Sequence, residues 1–137
     1  MARPILLDTC ALLWLANGDT MSAAALKAVA EVESQTGGVA VSPISAWEVG
    51  QLSAKGRIFL PRHPLAWFEA ALASGVSLAP LPPGVLVESS FLPGTALRDP
   101  ADRIIAATAR AFGYRILTRD RLILDFAAEG HAQAIAC

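Results

Sequence analysis

Ile5-Leu6-Leu7-Asp8-Thr9-Cys10-Ala11-Leu12-Leu13-Trp14 sets the reading of the whole chain. Ile5 to Leu7 form a continuous apolar run, the pattern of a strand buried on both faces. The run stops at a carboxylate, so the strand is read as Ile5 to Asp8. A helical pattern from Ala11 to Asn17 follows and ends near Gly18. A buried strand that passes through an acid into a helix is a fitting first unit for a parallel sheet flanked by helices.

Working outward, three more short runs predict strands: Gly38 to Ser42, Val76 to Ala79 and Arg115 to Thr118, with Ala132 to Ala136 as a last candidate. Helical patterns lie between them. They cover Ser22 to Ser34, Pro43 to Ala54 behind Ser42 as N-cap, Pro64 to Ser74, Val85 to Phe91, Pro100 to Phe112 stopped by Gly113, and Arg121 to Ala128. The Pro-rich patch from Pro80 to Gly84 reads as a loop, because cutting there leaves pieces too small to build separate cores. The expectation is one α/β domain over residues 1–137, with a central, mainly parallel sheet of four to five strands between helices. In such sheets ligands bind outside the carboxyl ends of the strands.

Composition narrows the class. Of 137 residues, 54% are hydrophobic and 17% charged, which excludes intrinsic disorder. No apolar run approaches the length of a membrane span, since Asp8 splits the longest pair. Met1 to Pro4 gives way to an acid within eight residues and lacks a signal-peptide core, so a cytoplasmic location is expected. Cys10 and Cys137 are too few for a disulfide framework or a zinc site; Cys10 reads as a small core residue. His63 and His131 show no metal-ligand spacing.

The acids carry the chemistry. Asp8 closes the first strand between two apolar segments, where a carboxylate is costly unless paired or bound to a metal. Glu48 falls on an apolar helical stripe with Ile44 and Leu52. Asp99-Pro100-Ala101-Asp102 opens a helix, with Asp99 as its cap and Asp102 on the packed side with Ile105, Ala106 and Ala109. Asp120 follows the Arg115 to Thr118 strand. Each acid also suits a plainer role: a helix cap for Asp8, Asp102 or Asp120, a surface position for Glu48. Jointly they converge on one edge of the sheet, where bare carboxylates repel one another. Oxygen-only ligands suit Mg2+ or Mn2+ rather than zinc. Such ions acidify water and stabilise both oxygens of a phosphodiester displacement. Counting Asp8, Glu48, Asp102 and Asp120 as neutralised moves the formal charge from −1 to +3, which removes the objection to a polyanionic substrate. Six of nine arginines lie after residue 97, a weak pointer to phosphate.

With these motifs in place the chain resembles the PIN-domain ribonucleases, in particular VapC-type toxins of bacterial toxin–antitoxin pairs. The segments that carry the resemblance are Ile5 to Trp14, Val41 to Val49, Lys55 to Ile58 with Leu60-Pro61, Arg98 to Ala107, and Leu117 to Asp120. The resemblance implies a three-layer α/β/α fold. It also implies an endoribonuclease that cleaves RNA with water activated by one or two Mg2+ or Mn2+ ions, and a homodimer neutralised by a cognate antitoxin. Asp8, Glu48 and Asp102 match the family acids, and Asp120 matches a more variable fourth. Thr9, Ser45 and Thr118 stand where the family often places hydroxyls beside the metal. Arg103, Arg119 and Arg121 are candidates for substrate phosphate. Leu97 occupies a position that is His in many relatives, a departure that bears on substrate contacts rather than on the acids.

Three other readings compete with this one. A haloacid-dehalogenase-like phosphotransferase needs a second Asp where Cys10 stands. A nucleotide-binding Rossmann domain needs a Gly-rich turn after the first strand. A non-catalytic binding module on the same fold remains the alternative. The surplus of apolar residues points to a surface awaiting a partner, expected on the Ala-rich second helix and on Leu65-Ala66-Trp67-Phe68, with Trp14 or Trp67 as anchors.

Overall fold

A computed structural model describes residues 2–94 and 97–137. The elements run β1 (Ile5–Leu7), α1 (Thr9–Asn17), α2 (Ala23–Val32), β2 (Val39–Val41), α3 (Pro43–Ala54), α4 (Pro64–Ala73), β3 (Ser77–Leu78), α5 (Pro83–Glu88), α6 (Pro100–Phe112), β4 (Arg115–Thr118), α7 (Arg121–Ala128) and β5 (Gln133–Ala136). Among the described residues the strands form one sheet in the order β3-β2-β1-β4-β5, and every pairing is parallel. The expected α/β class is borne out, and the candidate last strand is real.

β1 is apolar at consecutive positions because each of its faces meets a different core. Ile5 and Leu7 join Leu12, Ala25, Val32, Val49, Trp67 and Phe68 on one side. Leu6 joins Ile105, Ile116, Ile123 and Phe126 on the other. Helices α1, α2 and α4 thus cover one face, and α6 and α7 the other, which makes three layers.

Local signals fix the helix starts. Ser22, Ser42, Asp99 and Asp120 each accept a backbone N–H at the head of α2, α3, α6 and α7. Strand ends are shorter than the apolar runs suggested. β1 stops at Leu7 because Asp8 turns its side chain to cap α1, which therefore starts at Thr9 rather than Ala11. α5 begins earlier than expected, at Pro83, since proline suits a first helical position.

Three expectations about individual side chains are corrected. Cys10 is exposed, because Thr9, Ala11, Leu12 and Leu13 take the buried positions of α1. Trp67 and Phe68 are buried in the core, only 7% and 5% exposed, rather than standing out on the surface. Trp14 is covered on one face by the Arg119 guanidinium. Leu26 on α2 and Leu65 on α4 do remain exposed, as do Trp47, Phe59 and Phe91.

Gly38, which leads into β2, is required by close approach. A Cβ there would lie 1.8 Å from the Val32 carbonyl oxygen, a backbone atom that cannot swing away. Gly38→Ala is expected to cost at least about 1–3 kcal/mol in urea unfolding, the range for overpacking. Gly84→Ala has nothing within 4 Å and is the control, with stability unchanged or slightly higher.

Candidate active site

The parallel sheet sends the strand ends that matter to one edge. β1 and β4 pair with Leu7 opposite Leu117, so the next residues, Asp8 and Thr118, lie side by side. The Asp8 N–H donates to the Leu117 carbonyl at 3.2 Å. One Asp8 carboxylate oxygen accepts the Ala11 N–H at 2.8 Å, and the other accepts the Thr118 hydroxyl. Asp8 therefore serves as a helix cap and as a cleft carboxylate at once. Asp120 does the same one strand over. Its own N–H donates to Thr118 Oγ1 at 2.9 Å, and its Oδ1 accepts the N–H groups of Leu122 and Ile123 at 2.9 and 3.1 Å.

Glu48 reaches the cleft from α3. The Thr9 hydroxyl donates to Glu48 Oε1 and is itself 2.9 Å from the Ser45 hydroxyl, which then donates to Thr9. Ser45, Thr9 and Glu48 thus form a chain of hydroxyls behind a carboxylate. α6 supplies the remaining acids: Asp99 Oδ2 accepts the Asp102 N–H at 3.0 Å, which sets both at the start of that helix.

Asp8, Glu48, Asp99, Asp102 and Asp120 line one cleft of about 360 Å³, together with Thr9, Cys10, Trp14 and Arg119. The four acids singled out in the sequence are all there. Ser45 and Thr118 are buried and act through Thr9 and Asp8. Arg103 and Arg121 do not line it. Arg103 donates to the Ser89 and Leu97 carbonyls and ties α6 to the preceding loop. Arg121 pairs with Asp125 one turn along α7. Sequence alone favours a cap for Asp99 and leaves open a further role, and it does not point to Cys10 or Trp14 as cleft residues. The Asp99–Asp102 spacing of one helical turn was the available signal for Asp99.

Burial and crowding raise the carboxyl pKa values of Asp8, Glu48 and Asp102. Desolvation lifts Asp8 above its usual range, the Thr118 and Ala11 bonds offset part of this, and the Asp120 charge adds to it. Glu48 is raised by burial, eased by Thr9, and pushed further by Asp99 and Asp8. Asp102 is pushed up to about 8, by burial first and then by the charges of Asp99, Asp120, Glu48 and Asp8. The Cys10 thiol, exposed at the cleft rim but partly desolvated by the walls around it, is raised to about 11, by that desolvation first and then by the charges of Asp8, Glu48, Asp102 and Asp120.

This donor set is all oxygen, apart from one thiol at the rim. Among the described residues no three His, Cys, Asp or Glu side chains stand in ready metal-binding geometry. The set nonetheless fits a hard divalent cation. Its oxygens are of the right kind, and its mutual repulsion is the deficit a cation relieves. Asp8, Glu48, Asp102 and Asp120 are the residues available to hold one.

The PIN-domain family model matches residues 5–129. The chain belongs to the PIN-domain family. It is 36% identical over 118 residues to Ribonuclease VapC22 of Mycobacterium tuberculosis (strain ATCC 25618 / H37Rv), covering 85% of this chain and 87% of that protein. Its fold is similar to the crystal structure of VapBC2 from Rickettsia felis bound to a DNA fragment from their promoter. The TM-score is 0.67 at 13% identity, covering 96% of this chain and 98% of that one. It is also similar to PAE2754 from Pyrobaculum aerophilum, with a TM-score of 0.61 at 23% identity over 99% of this chain and 92% of that one. At these identities the solved structures bear on the fold. Both the family match and the fold comparisons agree with the three-layer architecture of this PIN domain.

The raised carboxyls give this PIN domain a pH signature. Asp102 keeps its proton to about pH 8 when folded but loses it near the ordinary value of 3.8 when unfolded. Across that window the folded state binds more protons, so stability falls as pH rises. Without divalent ions, the melting temperature is expected to drop between pH 5 and pH 8. Asp102→Asn should flatten that drop and melt higher than wild type at pH 8. A wild-type melting temperature that rises through the same window would contradict the repulsion described.

Proposed function

We propose that this PIN domain is a Mg2+- or Mn2+-dependent endoribonuclease toxin, neutralised in the cytoplasm by a cognate antitoxin. The observation that carries this reading is the convergence of Asp8, Glu48, Asp102 and Asp120 on one cleft, where Asp8, Glu48 and Asp102 are partly or fully desolvated. Support for RNA as substrate comes from the relative named as a ribonuclease, which the chain matches over most of its length. Support for an antitoxin comes from a fold neighbour solved as a VapBC complex.

In this reading the four acids hold one or two cations. A divalent cation bound there supplies Lewis acidity, making a water nucleophilic at neutral pH and balancing charge that builds on the phosphodiester. The chain's own part is positioning. Thr118 and the Ala11 N–H fix both oxygens of Asp8, so its rotamer is set before anything binds. Thr9, backed by Ser45, does the same for Glu48. Such preset orientation removes entropy cost from the reacting geometry.

The partner reading has a surface to match it. A groove of about 580 Å³ lies away from the acids, lined by Leu12, Leu15, Val29, Trp67, Ala70 and Ala71 among others. It runs between α1, α2 and α4, the helices on which an apolar partner surface was expected. We assign it to the antitoxin.

Asp8→Asn tests the catalytic reading. Asparagine keeps the α1 cap, so fold and dimer should persist. Cleavage of RNA in Mn2+ should fall by more than about a hundredfold, exceeding the usual loss from outer positioning groups. Mn2+ should raise the melting temperature of wild type and do so far less for the variant. Full cleavage by Asp8→Asn, or by wild type in excess chelator, would overturn the reading. A wild-type protein with neither cleavage nor an Mn2+ shift would favour a non-catalytic binding module.

A further inference from the structure

A cleft of carboxylates repels the phosphates it is meant to receive, and the structure holds one answer to that. Among the described residues lining the cleft, Arg119 is the one cation. Its guanidinium carbon lies over the Trp14 ring, 3.9 Å from the centroid, and one N–H donates to the Thr20 carbonyl at 2.6 Å. The Cys137 thiol is a further neighbour. Arg119 is exposed, whereas Trp14 beneath it is half-buried.

The backbone under both residues is set by the acids themselves. Arg119 sits between Thr118, which bonds Asp8, and Asp120, which caps α7. Trp14 is on α1, whose cap is Asp8. The cation is therefore registered to the carboxylates through the same elements. A guanidinium carries five N–H donors, and the bond to Thr20 uses one of them. Its second face is free of the indole. A stacked arginine has already lost most of its rotamer freedom, so binding an anion orders little more.

We propose that the Trp14–Arg119 pair is the substrate clamp of this cleft: Arg119 binds a backbone phosphate of single-stranded RNA, and Trp14 is a positioning residue that holds the guanidinium in place. This rests on the ribonuclease reading and adds to it the residue that admits an anion to an acidic site. Arg103 and Arg121 cannot substitute, since one is committed to backbone carbonyls and the other pairs with Asp125.

The test is binding of a fluorescein-labelled single-stranded RNA oligonucleotide across a NaCl series, read by anisotropy in Mg2+ on the Asp8→Asn background so that the RNA stays intact. Adding Arg119→Ala should weaken binding severalfold and lower the slope of log Kd against log salt by about 0.7, one single-strand phosphate contact. Trp14→Leu should reproduce much of that loss, and Trp14→Phe should restore it because phenylalanine keeps a ring face. Lys27→Ala, on the exposed face of α2, controls for net charge. In otherwise wild-type protein, Arg119→Ala should raise KM proportionally more than it lowers kcat. An unchanged salt slope and KM, with only a lower melting temperature, would overturn the clamp and leave Arg119 as a tie to the Thr20 loop. Absence of RNA binding by the Asp8→Asn protein at low salt would overturn it too. Undiminished cleavage by Asp8→Asn would overturn the metal-nuclease reading instead, while the salt slope still judges the clamp.

Discussion

Like charge held out of water is the constraint on which this structure turns. Five carboxylates line one cleft at the carboxyl edge of a parallel sheet, and the burial of Asp8, with the partial burial of Glu48 and Asp102, limits how far water screens them. The fold relieves part of the cost. α1 starts behind Asp8, α6 behind Asp99 and α7 behind Asp120, so three helix N-termini turn their positive ends and free N–H groups toward the acids. Thr118 and Thr9 donate hydroxyl hydrogens to two more carboxylate oxygens. The relief is incomplete, because Asp102 still holds its proton to about pH 8. What remains unbalanced is negative charge, and a compact, oxygen-seeking cation is what would offset it.

The same constraint explains why the two-sided packing matters to function. β1 and β4 are buried on both faces, which fixes their register and therefore fixes Asp8 against Thr118. A one-residue slip would separate them. The cores that look like mere ballast hold the acids at their spacing. The surplus of apolar residues noted in the composition divides between these two cores and side chains left in water, among them Phe59, which is 94% exposed.

Much of this was legible in the chain because the signals were redundant. Ile5 to Leu7 is too uniformly apolar for a half-exposed strand, and Ser42-Pro43 and Asp99-Pro100 each combine a cap with a proline at the first helical position. The acids were legible as a group, since the topology sends all of them to one edge. Individual side chains were harder. Asp8 and Asp120 looked like either caps or site residues, and they are positioned as both, an outcome that neither local reading contains. Cys10 sits among buried neighbours in sequence, but the phase of α1 turns it outward. Trp67 seemed a surface anchor because its helix is apolar over a wide arc, and only the packing of α4 against α3 and the core around β1 decides which part faces inward. Arg103 is next to Asp102 in sequence and faces the Ser89 and Leu97 carbonyls in space. The β5 strand was the weakest of the strand signals because Gln133-Ala134-Ile135-Ala136 forms a half-exposed sheet edge with little β-branched content.

The central claim is that the acid cleft is built for a divalent cation. Anomalous diffraction from crystals grown in Mn2+ tests it most directly. The account predicts a manganese peak in the cleft, bonded to carboxylate oxygens of Asp8 and Asp102 and lost in crystals of Asp8→Asn. Saturating Mn2+ with no peak among these acids, while the cleft stays open to solvent in the lattice, would contradict it.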